Sequence, residues 1–282
     1  MALYKVVIFV LTNQILSLRA NSQHMDGASV NENLHVFEDI ADDTTYTHWL
    51  DSMTWKKGAV RGHMVGPKTP NYCSMCTCSQ CNERLYVDCA DKGLKSAFDD
   101  ISRKFFYLDY TKNDILNVIL GNFRGLTLLK FLKLSYNKIR EIAKNAFRDL
   151  TNLTDLYIDN NHMDSLQTGI PEGTLDYLIN LRLLVMHGNV YICDASMLNG
   201  RTFQRLNNLK FLVIDGFRKM KFDDHFLNTR LSTLILVGPP YGCALNVVDN
   251  DTFDGLLHLQ NLSMRDCNIS SISPKALARL KS

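Results

Sequence analysis

One pattern recurs along this chain from residue 105 onward, and it narrows the possible folds more than any other feature. Leu129-x-x-Leu132-x-Leu134-x-x-Asn137-x-Ile139 aligns with Leu153-x-x-Leu156-x-Ile158-x-x-Asn161-x-Met163, and both align with Leu181-x-x-Leu184-x-Met186-x-x-Asn189. Leu209-x-x-Leu212-x-Ile214, Leu231-x-x-Leu234-x-Leu236 and Leu259-x-x-Leu262-x-Met264-x-x-Cys267-x-Ile269 follow, and Phe105-x-x-Leu108-x-Tyr110-x-x-Asn113-x-Ile115 is a degenerate first copy. Seven units therefore start at 105, 129, 153, 181, 209, 231 and 259. Each L-x-L segment reads as a short strand with alternate side chains pointing inward. One such strand cannot bury its own face, so the units must stack on one another. The Asn turns the chain inward, where its amide can satisfy buried backbone groups.

A second regularity fixes the register. Phe123, Phe147, Phe203 and Phe253 each fall six residues before the next unit. Leu175 holds that place in the third unit, and Phe226 is one residue off in the short fifth. Unit length varies between 22 and 28 while this lead stays nearly fixed, so insertions must fall between the Asn and the Phe. Leu277 takes the Phe place in the last unit, which predicts a further unit opening at residue 283 and hence a longer solenoid.

The regions before the repeats differ in kind. Lys5 precedes an apolar run from Val6 to Leu11, continued by Ile15, Leu16 and Leu18, and Ala20 and Ser22 stand before Gln23 as small residues at a cut site. These are the parts of a secretory signal peptide over residues 1–22. The alternative is an N-terminal strand that stays with the fold. Residues 23–72 are polar and lack periodic apolar positions, which reads as a poorly ordered leader. Residues 73–104 hold five cysteines, Cys73, Cys76, Cys78, Cys81 and Cys89, with Cys193, Cys243 and Cys267 further on. Eight cysteines behind a signal peptide suit an oxidising compartment and disulfides. A zinc reading of the two C-x-x-C pairs would need a second ligand cluster, and only Cys89 follows, so no metal is expected. Formal net charge is +2 with no basic run, which gives no nucleic-acid signature. No later stretch has the apolar length of a membrane span.

These motifs resemble the leucine-rich-repeat superfamily in its extracellular form. The resemblance implies an α/β solenoid, curved, with parallel β-strands on its concave face. Cys73-x-x-Cys76-x-Cys78 with Val87-Asp88-Cys89-x-x-Lys92-Gly93-Leu94 is similar to the N-terminal cysteine cap of such proteins. The family implies two bridges within the cap, which leaves one thiol of the five without a local mate. Leu134-Ser135-Tyr136-Asn137-Lys138-Ile139, Asn145-Ala146-Phe147 and the uneven unit lengths look like Toll-like receptor ectodomains. That resemblance implies a ligand-binding, pattern-recognition receptor in innate immune signalling, with a membrane span and signalling domain further along and receptor dimerisation as a possibility. The other reading is a freestanding secreted repeat protein in matrix, adhesion or guidance interactions. Either way the chain is expected in the secretory pathway, extracellular or on the outer side of the plasma membrane.

Stacking the units aligns their outward positions into columns. The middle units then bring together Leu183, Val185, Phe211, Val213, Ile235 and Val237, bordered by Asp155, Tyr157, Asp159, His187 and Asp215. A contiguous apolar patch of this kind marks a binding surface for a protein or microbial ligand. The competing reading is that these side chains only favour strand packing or lie under an inserted loop. Cys193 and Cys243 each stand thirteenth in their units, at the start of inserted loops, and are candidates for a bridge between them. Cys267 takes the place of the inward Asn and reads as a buried thiol. Asn152, Asn250, Asn261 and Asn268 head N-x-S/T sequences and are candidate glycan acceptors on a glycoprotein. The sequence has no nucleophile elbow, zinc-protease helix, phosphate loop or dinucleotide fingerprint, so it points to a binding protein without cofactor rather than an enzyme.

Overall fold

The computed structural model describes residues 7–9, 72–81, 84–98, 104–163, 169–189, 200–217, 220–238, 245, 247–265, 267–277 and 280. Each L-x-L segment forms a strand: β4 (Phe105–Asp109), β6 (Phe131–Lys133), β8 (Asp155–Tyr157), β9 (Leu183–Val185), β10 (Phe211–Asp215), β11 (Thr233–Val237) and β13 (Asn261–Arg265). All seven pair in parallel, in unit order, within one ten-stranded sheet. The second Leu of every motif, from Leu108 to Leu262, is essentially inaccessible to solvent. The core is therefore one column of aliphatic side chains running along the stack.

Asparagine side chains run beside that column. The Nδ2 of Asn137 donates to the carbonyls of Tyr110 and Leu134, and its Oδ1 accepts from the Ile115 amide at 3.1 Å. Asn161 repeats this one unit on, donating to Leu134 and Ile158 and accepting from Ile139. Asn113 and Asn189 stand at the two ends of the same ladder. The residue before each ladder Asn has a left-handed backbone: Lys112, Tyr136, Asn160 and Gly188 have φ of 57°, 54°, 51° and 71°. A left-handed non-glycine residue costs about 1 kcal/mol, which the buried amide bonds that it makes possible offset.

Among the described residues the return side carries little of the helix that an α/β description implies: α1 (Tyr72–Met75) is in the cap, and Gly169 is the only α-helical residue on a return arm. The return arms are tight turns with i→i+3 bonds, such as Ala146 N to Ala143 O and Leu150 N to Phe147 O, with 3-10 turns at Gly200–Thr202 and Asp224–Phe226. Units of 22 to 28 residues leave too few for several helical turns. Short parallel pairs, β5 (Asn117–Val118) with β7 (Glu141–Ile142) and β12 (Val247–Val248) with β14 (Ser271–Ile272), add a little order. The phenylalanines fill this side as stacked rings, Phe123 on Phe147 at 5.9 Å and Phe203 on Phe226 at 5.2 Å. In the short fifth unit Phe222 supplies an extra ring that bridges Phe226 and Phe253.

At the N-terminal end β2 (Thr77–Cys81) and β3 (Arg84–Asp88) form an antiparallel hairpin, and β3 joins the repeats through β4. Disulfides Cys73–Cys78 and Cys76–Cys89 tie it together, with Cys76 and Cys89 buried. This is a cysteine cap over the open end of the core, and Cys81 ends β2 opposite Arg84. At the other end β1 (Val7–Phe9) pairs in parallel with β13. Apart from β1, the expected signal peptide lies outside the described residues. So do nearly all of the leader, and Cys193 and Cys243 with their suggested bridge.

Candidate functional site

The sheet register sets the outward columns side by side. Tyr107, Phe131, Asp155, Leu183, Phe211, Thr233 and Asn261 follow one another across successive strands, and Asp109, Lys133, Tyr157, Val185, Val213, Ile235 and Ser263 form the next column. Two regions of different chemistry result.

Over the first three units the face is aromatic and charged. Tyr86 packs on Tyr107, and Tyr107 on Phe131, with ring centroids 6.4 and 6.3 Å apart. Lys133 Nζ lies 5.9 Å from the Tyr107 ring and 5.4 Å from the Tyr157 ring, and 3.9 Å from Asp109. Each such cation–ring contact contributes about 0.5–1 kcal/mol. The Tyr107 hydroxyl donates to Asp109 at 2.7 Å, and burial, followed by the Asp109 charge, pushes its phenol well above the ordinary tyrosine range. Burial likewise raises the Asp155 carboxyl above the usual carboxylate range, against the Thr154 hydroxyl and Arg182.

Over the middle units the face is apolar. Leu183, Val185 and Val213 form a cluster separate from the main core, with Tyr157, Phe211, Ile235 and Val237 packed around it. The three central residues are only 3%, 2% and 4% exposed, so the middle of the patch is closed and its rim is open. A ligand on this face meets Tyr157, Phe211, Ile235 and Val237 first.

The acidic border divides by role. Asp215, 1% exposed, accepts from the backbone amides of Gly188 and Asn189 and so takes over where the asparagine ladder stops. Asp159 accepts from the Ser135 hydroxyl and the Asn160 amide group and is also buried. These two carboxylates hold neighbouring units together. Tyr157 and His187 are half-buried on the surface of the face. Sequence reading missed the capping role of Asp215; the available signal was Phe217, which stands in the Asn place of the fifth unit and cannot bond. Of the candidate glycan acceptors, Asn250, Asn261 and Asn268 are exposed, Asn261 on the concave face in β13, and Asn152 is half-buried with its amide bonded to the Thr127 carbonyl. Cys267 is buried with its Sγ 3.5 Å from the Leu236 carbonyl. No group of metal ligands and no helix long and apolar enough to cross a membrane occurs among the described residues.

Comparison with known proteins agrees with this geometry. The family described as Leucine rich repeat matches residues 107–163. Toll-like receptor 8 of Homo sapiens is 22% identical over 217 residues, covering 65% of this chain and 20% of that protein. Leucine-rich repeat-containing G-protein coupled receptor 5A of Xenopus laevis is 35% identical over 86 residues, 30% of this chain and 10% of the receptor. Mimecan of Homo sapiens is 29% identical over 155 residues, 47% of this chain and 43% of mimecan. The chain thus spans less than half the length of each of these relatives. With parallel strands stacked in unit order, a disulfide cap and these similarities, the chain folds as a leucine-rich-repeat solenoid similar to part of Toll-like receptor 8.

Proposed function

We propose that this chain is the partner-binding part of a Toll-like pattern-recognition receptor acting in innate immunity, delivered through the secretory pathway. The observation that carries the binding reading is the concave face itself: a closed apolar centre with an open rim of Tyr157, Phe211, Ile235 and Val237, next to an aromatic and charged strip. Half-buried aromatic and aliphatic anchors around a closed centre suit partner recognition. The similarity to Toll-like receptor 8, which covers most of the chain, supports the receptor reading. The similarity to mimecan supports the second reading, a freestanding secreted protein of matrix, adhesion or guidance.

An antibody to the repeats, used on membrane and soluble fractions of native tissue, separates the two. The receptor reading expects a membrane-bound band far above 32.1 kDa, and a soluble band near that mass, allowing for glycans, sinks it. The face is tested separately. Val213→Asp should sharply weaken binding, but Val213 is nearly closed off, so the charge would also burden the fold. Ile235→Asp and Val237→Asp on the half-buried rim burden it less. In flow cytometry each should cut binding of the tagged secreted chain to cells by about tenfold with secretion unchanged. Equal binding would remove the concave face from the proposal.

A further inference from the structure

The flank of the first two repeats, away from the concave face, carries a second surface. Three aliphatic side chains there point into solvent: Leu116 is 47% exposed, Ile119 52% and Leu120 61%. They flank the two-residue strand β5, where Val118 is buried and Asn117 is exposed. Single exposed aliphatics are ordinary, but three side by side form a patch.

The patch sits in a basic field. Residues 111–150 hold eight basic residues against three acidic ones, and of these Lys133 lies on the concave face with Asp109 and Lys138 pairs with Asp114. Arg140 stands beside Leu116, since its amide donates to the Leu116 carbonyl at 2.9 Å. Two of the three acids are already engaged: Asp114 with Lys138 at 2.6 Å, and Asp149 with Arg148 and the Gly125 amide. Among the described residues no carboxylate lies within ion-pair distance of Arg124, Arg140 or Lys144.

Beside Leu120 the surface falls into a groove of about 340 Å³. Phe123 and Ala146 form its apolar floor, and Arg124, Arg148 and Asp149 stand at its rim, Asp149 being paired with Arg148. A groove with an apolar floor and the Arg124 guanidinium outside any ion pair among the described residues takes one large apolar side chain beside a carboxylate, because an arginine can hold a carboxylate in a fork of two bonds. At Arg148 an incoming carboxylate must compete with Asp149. A planar lipid surface would meet the protruding aliphatics but leave the groove empty. No N-x-S/T sequence occurs in residues 111–150, and the next one, at Asn152, has its amide bonded to the Thr127 carbonyl.

We infer that this flank is a docking surface for a protein partner that presents an acidic segment with a large apolar anchor, the anchor entering the groove between Leu120, Arg124 and Arg148. It is separate from the concave face and does not depend on which reading of the whole protein holds.

The test is selection of a random dodecapeptide phage library on the secreted, glycosylated chain, with counter-selection on Leu120→Glu and on the double variant Arg124→Glu, Arg148→Glu. All three side chains are on the surface, so secretion yield and circular dichroism should match the parent. The expected result is enrichment of peptides with Asp or Glu around one Leu, Ile or Phe. Their affinity, measured by fluorescence anisotropy, should fall about tenfold or more in each variant and weaken as salt rises. No enrichment, peptides without acidic residues, or equal binding by the variants overturns the proposal. Vesicles of phosphatidylcholine and phosphatidylserine are floated in parallel. Flotation that is lost in the same variants would assign the flank to lipid and overturn the protein partner; no flotation supports the proposal.

Discussion

At the scale of single residues, the ladder asparagines show how one side chain can hold three stretches of backbone. Asn161 bonds the carbonyls of Leu134 and Ile158 and the amide of Ile139, so it touches the unit before its own as well as its own strand. Asn161→Ala leaves these buried groups without partners and should lower stability by about 3 kcal/mol, read as a shift in the urea unfolding curve. A shift no larger than that of a surface substitution would show that water takes over the role. The asparagines were visible in the sequence because their spacing from the Leu positions is invariant through four units. Asp215 was not, because its parity along the strand marks it as outward. It turns back only because Phe217 fills the next Asn place with a ring, leaving the Gly188 and Asn189 amides to be satisfied from another direction.

At the scale of elements, the strands were legible and the return arms less so. Period-two burial within L-x-L is a local signal, and β4 to β13 fall where it lies. Turns on the convex side carry no such period, and Phe222, outside the six-residue lead, gave no sign of joining the ring stack. The columns of the concave face were also legible, since parallel register follows from unit alignment. What alignment could not show was how far the apolar centre closes, because that depends on the volumes of neighbouring side chains. The fifth and sixth units meet closely at Gly255. A Cβ there would overlap the Asp223 carbonyl oxygen, which is backbone and cannot rotate away. Gly255→Ala should therefore push these arms apart and cost about 3 kcal/mol, measured as a loss of thermal stability. An unchanged melting temperature would show that the two arms slide freely.

At the scale of the whole molecule, one sheet runs from the disulfide cap to β1, which pairs with the last repeat. That strand, Val7–Phe9, belongs to the run read in the sequence as the core of a signal peptide. A short run of Val, Ile and Phe suits a signal peptide and an edge strand equally, so the local pattern alone does not separate them. N-terminal sequencing of the chain secreted from cultured cells should begin at Gln23. A mature chain that still carries Val7–Phe9 would make β1 a permanent tenth strand.

Pulled from its two ends, such a molecule is a set of joints in series, and extension gathers in the softest. From the cap to the fourth unit each joint is crossed by an asparagine amide that both donates and accepts. Between the fourth and fifth it is crossed by a carboxylate that only accepts, and at the last unit the Asn place holds a thiol at 3.5 Å from its acceptor. A tensile load on the ends would thus be shared between side-chain amides and three-residue ladders in the first units, and carried mainly by five-residue backbone ladders between the last three.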